Sequence, residues 1–460
     1  MSNSSSSPSS TSKFWSDLLP FLISPVDGGE LEWNGEGFQS SSRSSTGKHV
    51  FPLIDKLPWL FPNLGNYESY WRQKFRDLIE FHRMKKESLK LQLSEGKLVP
   101  STQKRLQNLI QAHRHNLEML LKWLPELNQS GGMREFVIPS HQSLTLYHKN
   151  IFRDWAWQTQ ENEISLSFVS EILKGVSEIK KVAVLGSGAG RLATDLHHQQ
   201  KWDKTFAIDF NPLLTKIAHR VQKQENVSLY DFAVAPLTLE QAAIKYQLKS
   251  PHPASEGLVF LLADAAYLPL RAGCMDLVLT PWVIDILPMN VRQLSTRINK
   301  ILKLGGQWIN FGPLGYASSN ESLMYTEEEL KENASAWGFQ VEVSEVKKMI
   351  YLSHPNEVQS RNESVLLFRW TKVRDMEVEK INTYPEWLRD KKMAIPLDPQ
   401  LIQQQALARF QGDLFNSLDG RVSVEKLIEL FVSHYQLEPQ LAEDMIVTTL
   451  GSYYEKTQKK

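Results

Sequence analysis

Cysteine is all but missing. Cys274 is the only one in 460 residues, which excludes an internal disulfide framework and fits a reducing compartment. Net charge is missing too, 52 basic residues balancing 52 acidic ones, so bulk attraction to nucleic acid or to a membrane surface has no support. No run of about 18 apolar residues occurs, and the sequence therefore predicts no membrane span. The first dozen residues, MSNSSSSPSSTS, have neither the basic start nor the apolar centre of a secretory signal. They read as a disordered tail, and the chain as cytoplasmic. Its length exceeds one ordinary domain and predicts two or three.

What is present is organised around KVAVLGSGAGR, Lys181 to Arg191. Val182 to Leu185 is a short β-branched run suited to one buried strand. Gly186, Gly188 and Gly190 follow, and Leu192 and Leu196 then mark one face of a helix. A strand, a glycine turn and a helix make the first half of a nucleotide-binding unit. Glycine lets the backbone turn sharply and leaves room for a ligand, while the helix start offers free N–H groups.

Four further strands can be read downstream. TFAIDF (Thr205 to Phe210) carries Asp209 near its end, about 20 residues past the turn, where a ribose-hydroxyl ligand is expected. LVFLLADA (Leu258 to Ala265) carries Asp264, suited to an adenine amine, and MDLVLTPW and GQWINFGP follow. The glycines are spaced G-x-G-x-G, without the third glycine of a dinucleotide turn. That spacing and the second acid favour S-adenosyl-L-methionine over a nicotinamide cofactor. FQVEV and SVLLFRW complete the set as an antiparallel pair at the sheet edge. The expected fold is α/β: a Rossmann-like, doubly wound sheet of seven strands, preceded by a helical region and followed by a small helical or winged-helix module.

Taken in order, residues 1–65 read as a tail and an irregular segment, and 66–150 as a helical region. The methyl-donor domain spans 151–372, and the small module 385–460. Leu106, Leu109, Ile110, Leu117, Leu120 and Leu124 keep a helical period. His113 and His115, two apart on that helix, face different ways and read as packing or surface residues rather than metal ligands, and no metal site is expected. Cys274 reads as a small packing residue. In RDWAW (Arg153 to Trp157), Arg153 suits a carboxylate, either that of a bound methionine moiety or that of Asp154 or Glu161 to Glu163 in a local salt bridge. Asp285 stands among Val283, Ile284, Ile286 and Leu287 just after a strand, a costly place for an unpaired acid. It reads as functional, with helix capping as the alternative. Thr326 and Glu329 form a capping box. The terminal module shows no concentrated basic face, which favours protein or peptide docking over DNA binding.

With these residues in hand, the stretch from Tyr67 to Trp370 resembles the carnosine N-methyltransferase (N2227-like) family. RDWAW stands for the family's RDWS, GSGAGRLA for its GAGLGRLA, Asp264 for the acid of its GD, and IDIL (Ile284 to Leu287) for its ID motif. GGQWINFGPLGY (Gly305 to Tyr316) stands for GGIWINLGPLLY. The resemblance implies that Asn150, Arg153, Gly186, Gly188, Gly190, Arg191, Asp209, Asp264 and Ala265 contact S-adenosyl-L-methionine, with Thr280 nearby. It further implies that Asp285 holds the substrate's imidazole as the catalytic residue, flanked by Tyr316 and Tyr351. Two substrate contacts of the family are replaced: its His after GPLLY by Ala317, and a Tyr by Asn362. The turn LFNSLDGRVSVEKLIELF is similar to peptide-docking domains of the PqqD or winged-helix type. The expected activity is N-methylation of an imidazole in a small molecule or peptide, with neither nucleic acid nor membrane as partner. The alternative is a cofactor-binding scaffold whose terminal module docks a protein.

Overall fold

The computed structural model describes residues 10–41, 48–95, 97–123, 144–176, 178–316, 320–356, 360–379, 394 and 399–458. The chain divides into two compact units, 1–381 and 382–460.

The first unit opens with helix α1 (Ser10–Ser16) and four short strands, β1 (Leu31–Trp33), β2 (Gly37–Ser40), β3 (Val50–Ile54) and β4 (Leu57–Leu60). Helices α2 (Leu64–Glu95) and α3 (Pro100–Trp123) pack against each other, and α4 (Leu144–Trp155) and α5 (Glu161–Ile172) lead to the sheet. There the chain alternates: β5 (Lys181–Leu185), α6 (Arg191–Gln200), β6 (Lys204–Asp209), α7 (Pro212–Gln222). A hairpin of β7 (Val227–Asp231) and β8 (Ile244–Leu248) is inserted before β9 (Leu258–Ala263). Then come β10 (Met275–Pro281), α8 (Val291–Ile301), β11 (Leu302–Gly312), α9 (Glu327–Ala334), β12 (Phe339–Tyr351) and β13 (Arg361–Lys372).

The seven expected strands stand in the order β9-β6-β5-β10-β11-β13-β12, the first five parallel and the last two antiparallel additions. This is a methyltransferase-like mixed α/β sheet. Strand order reverses between β5 and β10, which opens a crevice at their carboxyl ends. The sheet is larger than expected, with eleven strands. β1 to β4 extend it through a parallel pairing of Trp59 with Leu262 and Leu60 with Ala263. Residues 13–65, read from sequence as irregular, thus contribute four short strands to the sheet. The strands are three to five residues long, too short for a period of two to stand out, and Pro52 and Pro58 lie inside them. Aromatic burial supplies the stabilisation: Phe38, Phe51 and Trp59 of these strands and Trp15 of α1 are all buried.

Local chemistry explains the helix starts. Asn211 caps α7 with Pro212 in its first turn. Asn290 with Gln293, and Thr326 with Glu329, form capping boxes on α8 and α9. Asn116 of α3 exchanges two hydrogen bonds of 2.8 Å with the Tyr230 main chain, tying the helical pair to the inserted hairpin.

The second unit is three helices, α10 (Pro399–Asn416), α11 (Val424–Tyr435) and α12 (Pro439–Gln458). Phe410, Leu414, Leu427, Phe431 and Ile446 form its core. Asp419 closes the turn between the first two by accepting the N–H groups of Arg421 and Val422, and Ser423 caps α11. No strand occurs there among the described residues, so the helical expectation describes it and the wing of a winged helix does not.

Candidate functional site

The glycine turn after β5 is left-handed at three residues, with φ of 71° at Gly186, 58° at Gly188 and 90° at Gly190. Two of these glycines are packed by the protein itself. A Cβ on Gly186 would lie 2.7 Å from Val283, and one on Gly190 2.8 Å from the Phe260 ring. Gly188 differs, because a Cβ there would meet nothing within 4 Å. It is the open face of the turn. Asp209 braces that turn from the end of β6, accepting N–H groups of Gly188 and Asn211 at 2.7 Å each. Burial pushes its carboxyl up to about 6, against the opposing pull of the Asn211, Gly188 and Phe210 N–H groups. Ser187 Oγ, inside the turn, and Asn211 Nδ2, beside it, are buried with no hydrogen-bond partner.

Asp264 sits at the end of β9. Its Oδ1 accepts the Ala266 N–H at 2.8 Å, and its Oδ2 accepts the hydroxyl of Tyr67 from α2. Burial raises its carboxyl, and the Tyr67 hydroxyl opposes that rise. The Tyr67 ring stacks on Phe61 at 4.2 Å and meets Phe210 at 5.6 Å. Ala265 is buried beside it.

The end of α4 closes over the glycine turn. Trp155 Nε1 donates to Ala189 O at 2.7 Å, and Arg191 Nη1 to Asp154 O at 3.0 Å. Arg153 pairs with buried Asp154 at 2.7 Å and stands 3.7 Å from Glu161, its guanidinium 5.3 Å over the Tyr351 ring. The local salt bridge is therefore formed. Asn150 lies one turn earlier on α4, half-buried. Two expected cofactor contacts have side chains committed elsewhere. Arg191 is bound to Asp195 at 2.7 Å. Thr280 is fully buried, its hydroxyl bonded to Asn310 and the Trp308 indole, because its side chain points into the sheet core.

Across the crevice, β10 runs into Trp282, a non-glycine residue at φ 55°. Left-handed backbone costs such a residue about 1–2 kcal/mol. Packing holds it there: its N–H donates to Phe311 O at 2.8 Å, its ring stacks on Tyr351 at 4.0 Å, and Gly312 abuts its main chain so closely that a Cβ would lie 2.9 Å away. Backbone strain of this kind gathers at functional sites. Asp285 follows in the same loop. It is 8% exposed, and its Oδ2 accepts the Gly315 N–H at 2.9 Å. Burial raises its carboxyl, as does nearby Glu363, while the Gly315 N–H lowers it. Asn290 caps α8, so Asp285 is not spoken for as a helix cap. Tyr316 stands near Asp285, its hydroxyl buried without a partner. Ala317 lies outside the described residues.

Contacts link these residues: Gly188 to Asp209, Gly186 to Val283 of the Asp285 loop, Tyr316 to Asp285, and Arg153 to Tyr351. Sequence reasoning missed Tyr67 and Trp282. Nothing local marks Tyr67, 197 residues from its partner Asp264; Trp282, a bulky ring after a strand-ending proline, was the visible hint. The two helix histidines diverge: His113 bonds buried His82 at 2.9 Å, and His115 reaches Ser228. Burial raises the thiol of Cys274 to about 12, which suits a packing residue. Among the described residues no group of three or more His, Cys, Asp or Glu side chains is placed to hold a metal ion.

Comparison with known proteins decides the family. The profile described as Carnosine N-methyltransferase matches residues 137–373, just over half of the chain. The chain belongs to the carnosine N-methyltransferase family. The mouse carnosine N-methyltransferase is 23% identical over 328 residues, covering 64% of this chain and 78% of that protein. The Dictyostelium discoideum carnosine N-methyltransferase is 21% identical over 337 residues, covering 64% and 70%. Among solved structures, Haemonchus contortus phosphoethanolamine N-methyltransferase 2 in complex with S-adenosyl-L-methionine overlays with a TM-score of 0.34. It is 14% identical and covers 50% of this chain and 56% of its own. The YcgJ protein of Bacillus subtilis gives a TM-score of 0.32 at 13% identity, covering 46% and 99%. As a member of the carnosine N-methyltransferase family, the chain is an S-adenosyl-L-methionine-dependent methyltransferase. The crevice suits that molecule: an open glycine turn, an unpartnered Ser187 hydroxyl and acids closing two adjacent strands. No helix among the described residues is long and apolar enough to cross a membrane.

Proposed function

We propose that the chain methylates an imidazole nitrogen of a small molecule or a histidine-containing peptide. In this reading Asp209 accepts the ribose hydroxyls, Asp264 accepts the adenine amine, and the methionine end lies along Gly188, with Arg153 and Asn150 beside it. Bound there, S-adenosyl-L-methionine supplies an electrophilic methyl group on a sulfonium. Asp285 carries the acceptor side of the proposal: a nearly buried carboxylate with one oxygen steadied by Gly315, in the loop that begins at the strained Trp282. A carboxylate in that setting accepts the N–H of one ring nitrogen and fixes the tautomer, so the other nitrogen directs its lone pair at the methyl group. As the new N–C bond would form, the methyl–sulfur bond would break with its electron pair left on the sulfur of S-adenosylhomocysteine, the ring would become cationic, and the neighbouring negative charge of Asp285 would stabilise it. Its remaining ring proton is then released by way of Asp285, whose raised pKa suits it to accept one. Tyr316 and Tyr351 wall the acceptor, and the rate gain comes mainly from positioning.

The acceptor's size is addressed by Asn362. Where the family carries a tyrosine, this chain has an exposed asparagine paired across from Ile350, which supports an acceptor extending outward, as a peptide would. The test is calorimetric titration of carnosine and of histidine peptides with S-adenosylhomocysteine present, together with Asp285→Asn. The variant should keep S-adenosylhomocysteine affinity within about twofold and lose transfer by two orders of magnitude or more, the size of a charge-assisted contact made in the transition state. Undiminished transfer in Asp285→Asn would overturn the role given to Asp285.

A further inference from the structure

The family match begins at residue 137, yet a side chain from far upstream enters the crevice. Tyr67, near the start of α2, is 3% exposed and its hydroxyl donates a hydrogen bond to Asp264 Oδ2, while the Ala266 N–H donates to Oδ1. We infer that Tyr67 is a positioning residue for nucleobase specificity, holding Asp264 as an acceptor-only carboxylate that takes an adenine amine and rejects a keto oxygen. The inference rests on the placement of adenine at Asp264 proposed above.

The argument is one of donors and acceptors. A donor on each oxygen stabilises the ionised carboxyl, and adding a proton to either oxygen weakens the hydrogen bond that oxygen already accepts. The two donors thus favour the ionised form of Asp264, which keeps a lone pair on each oxygen to accept with. An exocyclic amine satisfies them; the O6 of a hypoxanthine ring meets them as one acceptor against another. Burial pulls in the opposite direction and raises the carboxyl. With the hydroxyl removed, Oδ2 is free to hold a proton, and the neutral acid can donate to O6. The Phe61 and Phe210 rings fix the phenol in place, so the donor is preset rather than recruited.

The test compares S-adenosylhomocysteine with S-inosylhomocysteine by calorimetry on the full chain. The unmodified chain should prefer the adenosyl ligand by about a hundredfold, the scale of a hydrogen bond to a charged group. Tyr67→Phe should cut that preference at least about tenfold, mainly by gaining inosyl affinity, and more so at pH 5.5 than at pH 8. A purely structural Tyr67 would weaken both ligands alike and leave the ratio unmoved, which overturns the inference. Asp264→Asn should erase the effect of Tyr67→Phe in a double-mutant cycle, and additive changes would count against it. Should Tyr67→Phe fail to fold, fluorotyrosine at position 67, a stronger donor of nearly the same shape, should raise the adenosyl preference; an unchanged ratio refutes the claim. Failure of the underlying placement looks different: the unmodified chain would then bind both ligands equally, or neither.

Discussion

Replacing Gly188 with alanine separates ligand binding from folding, and the glycine turn lets the size of each effect be worked out beforehand. At φ 58° an alanine pays the left-handed penalty, about 1–2 kcal/mol. It meets no atom within 4 Å, so no steric cost is added. The melting temperature should fall by only a few degrees. The new methyl group, however, occupies the open face of the turn, and S-adenosylhomocysteine affinity should drop at least tenfold, about 1.4 kcal/mol. Gly190→Ala is the counterpart. Its Cβ would press to 2.8 Å from the Phe260 ring and 2.9 Å from Ala218. Overpacking of about 1–3 kcal/mol joins the backbone penalty, for a total of about 2–5 kcal/mol, a large share of ordinary domain stability. Thermal unfolding and calorimetry on both variants are the assays. Equal stability loss in the two, or native affinity in Gly188→Ala, would refute the assignment of the open face to the ligand.

Two pH profiles follow from the same side chains. With the Asp209 carboxyl at about 6, only about a tenth is ionised at pH 5, so S-adenosylhomocysteine affinity should fall about tenfold between pH 7 and pH 5; a flat profile would exclude Asp209 as the ribose acceptor. Stability should fall over the same range. Burial holds His82 at about 3 and His113, His197 and His219 at about 4, below the ordinary 6.5. Between about 6.5 and 4 the unfolded chain binds more protons than the folded one, so the loss begins below about 6.5 and grows until the folded histidines titrate. Asp209 works the other way between about 6 and 3.8, its raised carboxyl holding a proton in the folded chain. The histidines act first as pH falls. A urea midpoint that rose from pH 7 to pH 6 would contradict neutral buried histidines.

The parts of the site legible in sequence are those whose chemistry is local. The strand, glycines and helix of residues 181–200 lie side by side along the chain, and Asp209 and Asp264 each end an apolar run. Asp285 stood out because an acid among Val283, Ile284 and Leu287 needs a reason. Asp209, Asp264 and Asp285 do end at the carboxyl edge of the sheet. Arg153 could be narrowed only to two carboxylates, since an arginine's partner is set by tertiary placement. Thr280 was implied by the resemblance alone, and the bonds of its hydroxyl to Asn310 and Trp308 come from neighbouring-strand geometry. Tyr67 and β4 were invisible because their partners lie some 200 residues downstream, and β1 to β3 because their own runs are short.

That distance also bears on how the chain is made. Trp59 and Leu60 must wait for Leu262 and Ala263 to be synthesised before β4 can pair, roughly 10–40 s at ordinary translation speeds. Meanwhile Trp15, Phe38, Phe51 and Trp59, all buried in the finished molecule, have no sheet to rest on. The amino-terminal strands thus complete their pairing only after β9 has been made. A shortened chain starting near residue 137 would avoid the wait but leave β9 as a bare apolar edge, open to pairing with the next molecule.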